Sequence, residues 1–170
     1  MAGREDAPGF MIGDVNLFLY DDDDEDDEDA NAAEKVKNGE ETPEKHVLGE
    51  LEIMVASQAH RGQGLAQETL RAFMAYIQSV LPGMLTEYSQ NSEEVGKAAV
   101  LKYLRVKIDK DNVRSLALFE RLGFVRIAAE PNYFGEVELR TSVVGGKLGD
   151  VERKVGLEGV GVRVRYDTGE

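Results

Sequence analysis

The chain has 170 residues, no cysteine and two histidines, which removes disulfides, thiolate nucleophiles and cysteine- or histidine-built metal sites. Hydrophobic residues are 42% and charged residues 31%, as in a soluble domain with a core of its own. The net charge of −13 argues against a nucleic-acid partner, but it is concentrated: residues 21–45 hold thirteen acids and three lysines, which leaves −3 for everything else.

Residues 1–9 form a short N-terminal tail without the apolar run of a signal peptide, and no stretch approaches the length of a membrane span. The expectation is a cytoplasmic or nuclear protein with no membrane partner. Residues 10–20, "FMIGDVNLFLY", read as a strand in which Val15, Leu17 and Leu19 alternate with Asp14, Asn16 and Phe18. The acidic tract at 21–45 has no packable face and reads as a disordered insertion. Residues 46–56, "HVLGELEIMVA", alternate again, with Val47, Leu51, Ile53 and Val55 on one face and Glu50, Glu52 and Met54 on the other. Two alternating runs around an insertion suggest a hairpin with a lengthened loop, which loop entropy tolerates.

From residue 62 the period changes to that of a helix, with Ala66, Leu70, Phe73 and Ile77 on one stripe, and Pro82-Gly83 is expected to end it. A polar connection at 84–98 leads to a strand at 99–108. The turn "DKDN" offers Asp111 or Asn112 as helix cap, and Leu116, Phe119 and Leu122 stripe the helix that follows until Gly123 stops it. "FVRIAA" and "FGEVELRTSVV" add two strands, giving the order β-β-α-β-α-β-β of a mixed α/β layer. Residues 144–170 form a glycine-rich C-terminal extension, in which "GVRVRYD" at 161–167 is a candidate strand.

Between the second strand and the first helix stands "AHRGQGLAQE", residues 59–68. A helix N-terminus has unpaired amides and the positive end of the dipole, and glycines bring those amides close to a ligand. The pattern predicts an anion site, most naturally for phosphate, with Arg61 as an added cation. The nucleoside-triphosphate pattern GxxxxGK[ST] is absent, and Gly62-Gln63-Gly64 is followed by Gln67 where the dinucleotide fingerprint needs glycine.

Arg61, Gly64 and Ala66 satisfy Arg-x-x-Gly-x-Ala, which resembles the pyrophosphate loop of the GCN5-related N-acetyltransferase (GNAT) superfamily. "NVRSLALFERLGF", Asn112 to Phe124, resembles the later signature of the same superfamily. "IGDVNLFL", "LGELEIMVA" and "FGEVELR" are similar to the eukaryotic N-acetyltransferase 9 family, and the likeness covers residues 10–143 apart from the insertion. The resemblance implies a mixed, mostly antiparallel GNAT-type sheet flanked by helices, splayed at its centre around acetyl-CoA. It also implies a partial domain lacking the family's usual first strand and first two helices, so that Phe10, Ile12, Phe18 and Met54 would face water. Self-association through that uncovered face and the edge of the first strand is the expectation.

Acetyl-CoA is then the expected co-substrate, with no metal, and a protein or peptide amine the acceptor, with tubulin as a candidate. The resemblance implies cofactor contacts from Met54 and Val55 (a strand amide for the oxyanion), Arg61, Gly62, Gln63, Gly64, Leu65, Ala66, Asn112, Ser115 and Phe119. Many relatives place a tyrosine at the position of Phe119 to protonate the leaving thiolate, and a phenyl ring cannot do so. Glu52 and Glu50 are the candidate general bases acting through water, against the blander reading of exposed acids on an open strand face. Glu136, His60 and Tyr133 are weaker candidates whose ordinary roles are ion pairing, surface exposure and packing. The alternative to an enzyme is a GNAT-fold binding or scaffold protein of weak or no activity.

Overall fold

The computed structural model describes residues 10–22, 44–91 and 97–142. The N-terminal tail, most of the acidic insertion and the C-terminal extension with its candidate strand lie outside the described residues.

The two alternating runs form β1 (Gly13–Asp21) and β2 (Glu44–Val55), an antiparallel hairpin registered from Gly13 opposite Val55 to Asp21 opposite Val47. A short 3-10 turn at Gln58–His60 leads into α1 (Leu65–Gln90), then β3 (Ala98–Asp109), α2 (Val113–Arg121), β4 (Val125–Arg126) and β5 (Glu136–Ser142). The sheet order is β1-β2-β3-β5-β4, with β1 at one edge. Among the described strands only β2 and β3 run parallel, because α1 carries the chain back across the sheet between them.

Alternation decides which face is covered. Leu51, Leu104, Val106 and Leu139 point into one apolar cluster with Leu70, Met74, Ile77 and Leu81 of α1 and Leu116 and Phe119 of α2. Truncating one of these to alanine is expected to cost about 2–5 kcal/mol. The alternate residues line the opposite face, which no described helix covers. Phe18 and Met54 are 42% and 53% exposed there and Phe10 is exposed beyond the strand, as the sequence implies, whereas Ile12 is half-buried. This face is less apolar than that expectation. Arg105 donates from Nε to Glu50 Oε2 at 2.7 Å and lies over the Tyr20 ring, and Arg140 bonds Glu138 at 2.7 Å and lies over Tyr103.

Several boundaries differ from the sequence reading; the strand expected from "FVRIAA", for one, is only the two residues of β4. The first helix does not end at Pro82-Gly83 but runs through both to Gln90, so most of the expected connection at 84–98 is helical. Proline inside a helix removes a backbone hydrogen bond and costs about 3 kcal/mol. The apolar stripe outweighs that cost: Leu81 is buried and Leu85, one turn beyond, packs on the same cluster. The last turns are also tied down, since Ser89 Oγ accepts from the Ala99 N–H and the Tyr88 hydroxyl donates to Asp21. The acidic insertion, in turn, does not start at 21 or end at 45. Asp21 closes β1 against Lys45 at 2.9 Å, Asp22 meets Lys102 at 2.8 Å, and Glu44 and Lys45 belong to β2. The facing of β2 also departs from strict alternation, because the β2–β3 register shifts between Val47 and Leu48 and both side chains are buried.

Candidate active site

The site is made by a divergence of strands. β2 and β3 pair from Glu44 opposite Ala98 to Glu50 opposite Arg105 and then part. Beyond that point Leu51–Val55 pair only with β1, up to Gly13, and Val106–Asp109 only with β5, down to Glu136. Strand amides alternate in direction, so some N–H groups of 51–55 face the split rather than a neighbouring strand. Two cavities open there, a groove of about 990 Å³ and a cleft of about 370 Å³. Both are walled in part by Ile53, Met54, Asn112 and Ser115.

The glycine loop forms one end of the groove. Gly62 and Gly64 sit at φ +75° and +85°, the left-handed region that side-chain-bearing residues avoid, and Gly64 caps α1. A Cβ built on either meets nothing within 4 Å, so conformation rather than crowding demands glycine there. The first helical bond runs from the Glu68 N–H to the Gly64 carbonyl at 3.1 Å, which leaves the amides of Leu65, Ala66 and Gln67 for another acceptor. Gly62, Gly64, Leu65 and Ala66 line the groove, as do Met54 and Val55 of β2. Gln63 turns back instead, donating from Nε2 to the Ala59 carbonyl at 2.6 Å. Arg61 lines the groove, but its guanidinium is engaged with backbone: Nε donates to the Val55 carbonyl at 2.8 Å and Nη2 to that of Ala56 at 3.3 Å. It clamps the end of β2 to the loop. His60 also lines the groove, with Nδ1 2.7 Å from the Ser57 hydroxyl.

The other wall is α2. Asn112 caps it by accepting the Ser115 N–H on Oδ1 at 3.2 Å, which fixes where that helix starts relative to the split. The expected cap and the expected small residue thus stand together at the meeting of the two cavities. Phe119 is 3% exposed, stacks edge-on against Phe124 at 5.2 Å, and borders the cleft rather than the groove.

The two candidate bases separate. Glu50 is held by Arg105 at 2.7 Å with Lys107 at 3.8 Å, and it borders neither cavity. Glu52 is exposed, borders the cleft, and has no ion-pair partner among the described residues. Glu136 accepts from Asn132 Nδ2 at 3.1 Å, and Tyr133 is 97% exposed in the turn before β5. Sequence reasoning missed Asp14 and Asp109 on the cleft and Arg114 and Arg121 on the groove. The arginines had a signal, since both fall in the quoted helix seven residues apart. Among the described residues no group of three or more histidines or carboxylates is placed to hold a metal, and no helix is long and apolar enough to cross a membrane.

This arrangement, a split sheet with a glycine loop at a helix start and a capped helix on the far side, is the one that the GNAT resemblance implies. Residues 2–125 match the acetyltransferase (GNAT) domain, and the chain belongs to that family. It is 35% identical over 132 residues to an N-acetyltransferase 9-like protein of Schizosaccharomyces pombe, covering 76% of this chain and 55% of that protein. It is 30% identical over 133 residues to alpha/beta-tubulin-N-acetyltransferase 9 of Homo sapiens, covering 78% of this chain and 45% of that one. The chain thus spans about half the length of these relatives. Among solved structures, Arabidopsis thaliana NAA60 with a bisubstrate analogue superposes with a TM-score of 0.46 at 11% identity, covering 79% of this chain and 66% of that one.

Proposed function

We propose that this domain transfers acetyl from acetyl-CoA to a protein N-terminal amine, and that tubulin is the first acceptor to test. The observation that carries this reading is the meeting of the two cavities at the β2–β3 split. One has a phosphate-type loop and, among the described residues, no carboxylate on its wall, and the other is bordered by Asp14, Glu52 and Asp109. A long anionic thioester suits the first, and an ammonium-bearing chain end suits the second. The tubulin suggestion comes from the name of the human relative.

The amides of residues 62–66 hold the pyrophosphate, and a β2 amide near Met54 or Val55 faces the reacting carbonyl oxygen. An α-amino group has a pKa near about 8, so a modest fraction is neutral at neutral pH and a carboxylate suffices to take the proton through water. Glu52 is in place to do so. A thiolate is a much weaker base than the amide nitrogen or an alkoxide and can leave before it is protonated, so Phe119 need not bar turnover. Calorimetric titration of acetyl-CoA, followed by acetyl transfer to peptides with free and blocked N-termini, tests the reading. Binding and transfer to the free terminus alone are expected. Binding without transfer to any peptide favours the scaffold alternative, and absence of binding overturns both.

A further inference from the structure

The charge on the groove wall is out of keeping with the rest of the chain. Outside the acidic tract at 21–45 the chain still carries −3, yet among the described residues the wall carries Arg61, Arg114, Arg121 and His60 and no aspartate or glutamate. The roles of two of these are already taken. The guanidinium of Arg61 is engaged with the carbonyls of Val55 and Ala56, and the ring of His60 lies against Ser57. Arg114 and Arg121 are different. Among the described residues neither has an ion-pair partner, and Glu120, the nearest carboxylate in sequence to Arg121, is bonded to Arg126 at 2.8 Å. They stand seven residues apart on α2, hence on one face and about 10 Å apart.

Their position along the groove adds direction. Asn112 and Ser115 mark the end where the groove meets the cleft. Arg121 lies six residues further along the helix, about 9 Å from Ser115. An elongated ligand with its reactive end at the split lays its other end toward Arg121. Coenzyme A carries a phosphomonoester on its ribose as well as the pyrophosphate, and a phosphomonoester bears about −1.5 to −2 charges at neutral pH. The glycine loop accounts for only one of those two anionic groups. A guanidinium is the side chain suited to the other, because its fork presents parallel donors to phosphate oxygens.

We propose that Arg121 holds the ribose 3′-phosphate, with Arg114 adding positive charge from the split end of the same helix face, so that the groove distinguishes coenzyme A from its 3′-dephospho form. This rests on the acyl-coenzyme A reading above and names which part of the ligand these residues select. An ordinary solvated helix face gives no such discrimination.

The test is calorimetric titration of the full chain with coenzyme A and with 3′-dephospho-coenzyme A. The unmodified protein is expected to bind coenzyme A about tenfold or more tightly than the dephospho form, the scale of a charge-assisted hydrogen bond. That ratio is expected to shrink as salt is raised. In the double variant Arg114→Gln/Arg121→Gln the ratio falls to about twofold or less, through weaker coenzyme A binding with the dephospho form unchanged. Equal affinities in the unmodified protein, or a ratio that survives the double substitution, overturn this inference and leave the acyl-coenzyme A reading standing. If neither compound binds, that reading falls and this inference with it. The first comparison needs no variant, so a folding defect cannot mask the answer.

Discussion

The groove and the cleft share four wall residues but carry opposite charge. Among the described residues the groove has three arginines and no carboxylate, and the cleft has Asp14, Glu52 and Asp109 against Lys107 alone. Outside the acidic tract the chain is close to balanced and still net negative, at −3, so composition does not by itself favour a carboxylate-free groove. The two walls are supplied by different elements. The groove takes its cations from the turn after β2 and from one face of α2, whereas the cleft takes its acids from the strands β1, β2 and β3 near the split. The boundary runs along Ile53, Met54, Asn112 and Ser115, and the anionic donor and cationic acceptor of the proposed reaction would be sorted by it before they meet. Electrostatic complementarity of this kind acts more on orientation and encounter than on raw affinity.

The harshest way to break the groove is at Gly64. Gly64→Val puts a β-branched residue at φ +85°, where side-chain-bearing residues pay about 1–2 kcal/mol, and crowds amides whose charged hydrogen bonds are worth about 1.5–3 kcal/mol. Loss of detectable coenzyme A binding with a lowered melting temperature is expected. Gly64→Asn separates the two causes, since asparagine tolerates the left-handed region. It is expected to melt close to the unmodified protein and still bind poorly. Normal binding by the Gly64→Asn variant would show that the loop does not approach the ligand.

The cleft is tested at its two glutamates. Glu52→Gln is expected to slow acetyl transfer about 100-fold at neutral pH while leaving coenzyme A affinity unchanged, the usual scale for a general base. Glu50→Gln is expected to lower stability by about 1–3 kcal/mol, because it leaves Arg105 half-buried without its carboxylate, and to leave turnover per folded molecule nearly intact. Denaturant unfolding together with initial rates distinguishes the pair. The reverse pattern would move the base to Glu50.

How far these features are legible in the sequence depends on the range of the interactions that set them. The Asn112 cap and the left-handed glycines are local and can be read from a few neighbouring residues. Glu50 and Glu52 are not separable that way, because a period of two puts both on one face and only the β2–β3 register brings Arg105 to one of them. The split is invisible for the same reason, since the parting of two strands distant in sequence leaves no mark on either. Pro82 misleads because its local cost carries no sign of the burial of Leu81 and the packing of Leu85 beyond it. Arg61 reads as a ligand cation in the sequence, yet the nearest acceptors are backbone carbonyls of the strand it follows and of the residue just beyond.

The smallest expected effect lies far from both cavities, where composition alone assigns Asp21 to a disordered tract. The hydrogen bond from Lys45 lowers the Asp21 pKa most, desolvation opposes it, and the Tyr88 hydroxyl and the Lys45 charge add to the lowering. A carboxylate with a depressed folded-state pKa adds stability that is fully present above its unfolded pKa, about 3.9, and is lost as pH falls through the folded value. Asp21→Asn is therefore expected to lower the melting temperature slightly at pH 7 and to converge with the unmodified protein as pH falls below the ordinary carboxylate range. The difference is kept small by the exposure of the carboxylate, since exposed ion pairs contribute about 1 kcal/mol or less. Melting curves across that range decide the point. A gap that stays constant on acidification would mean that the aspartate acts through packing, and that charge pairing does not fix the end of β1 against Lys45 and the last turns of α1.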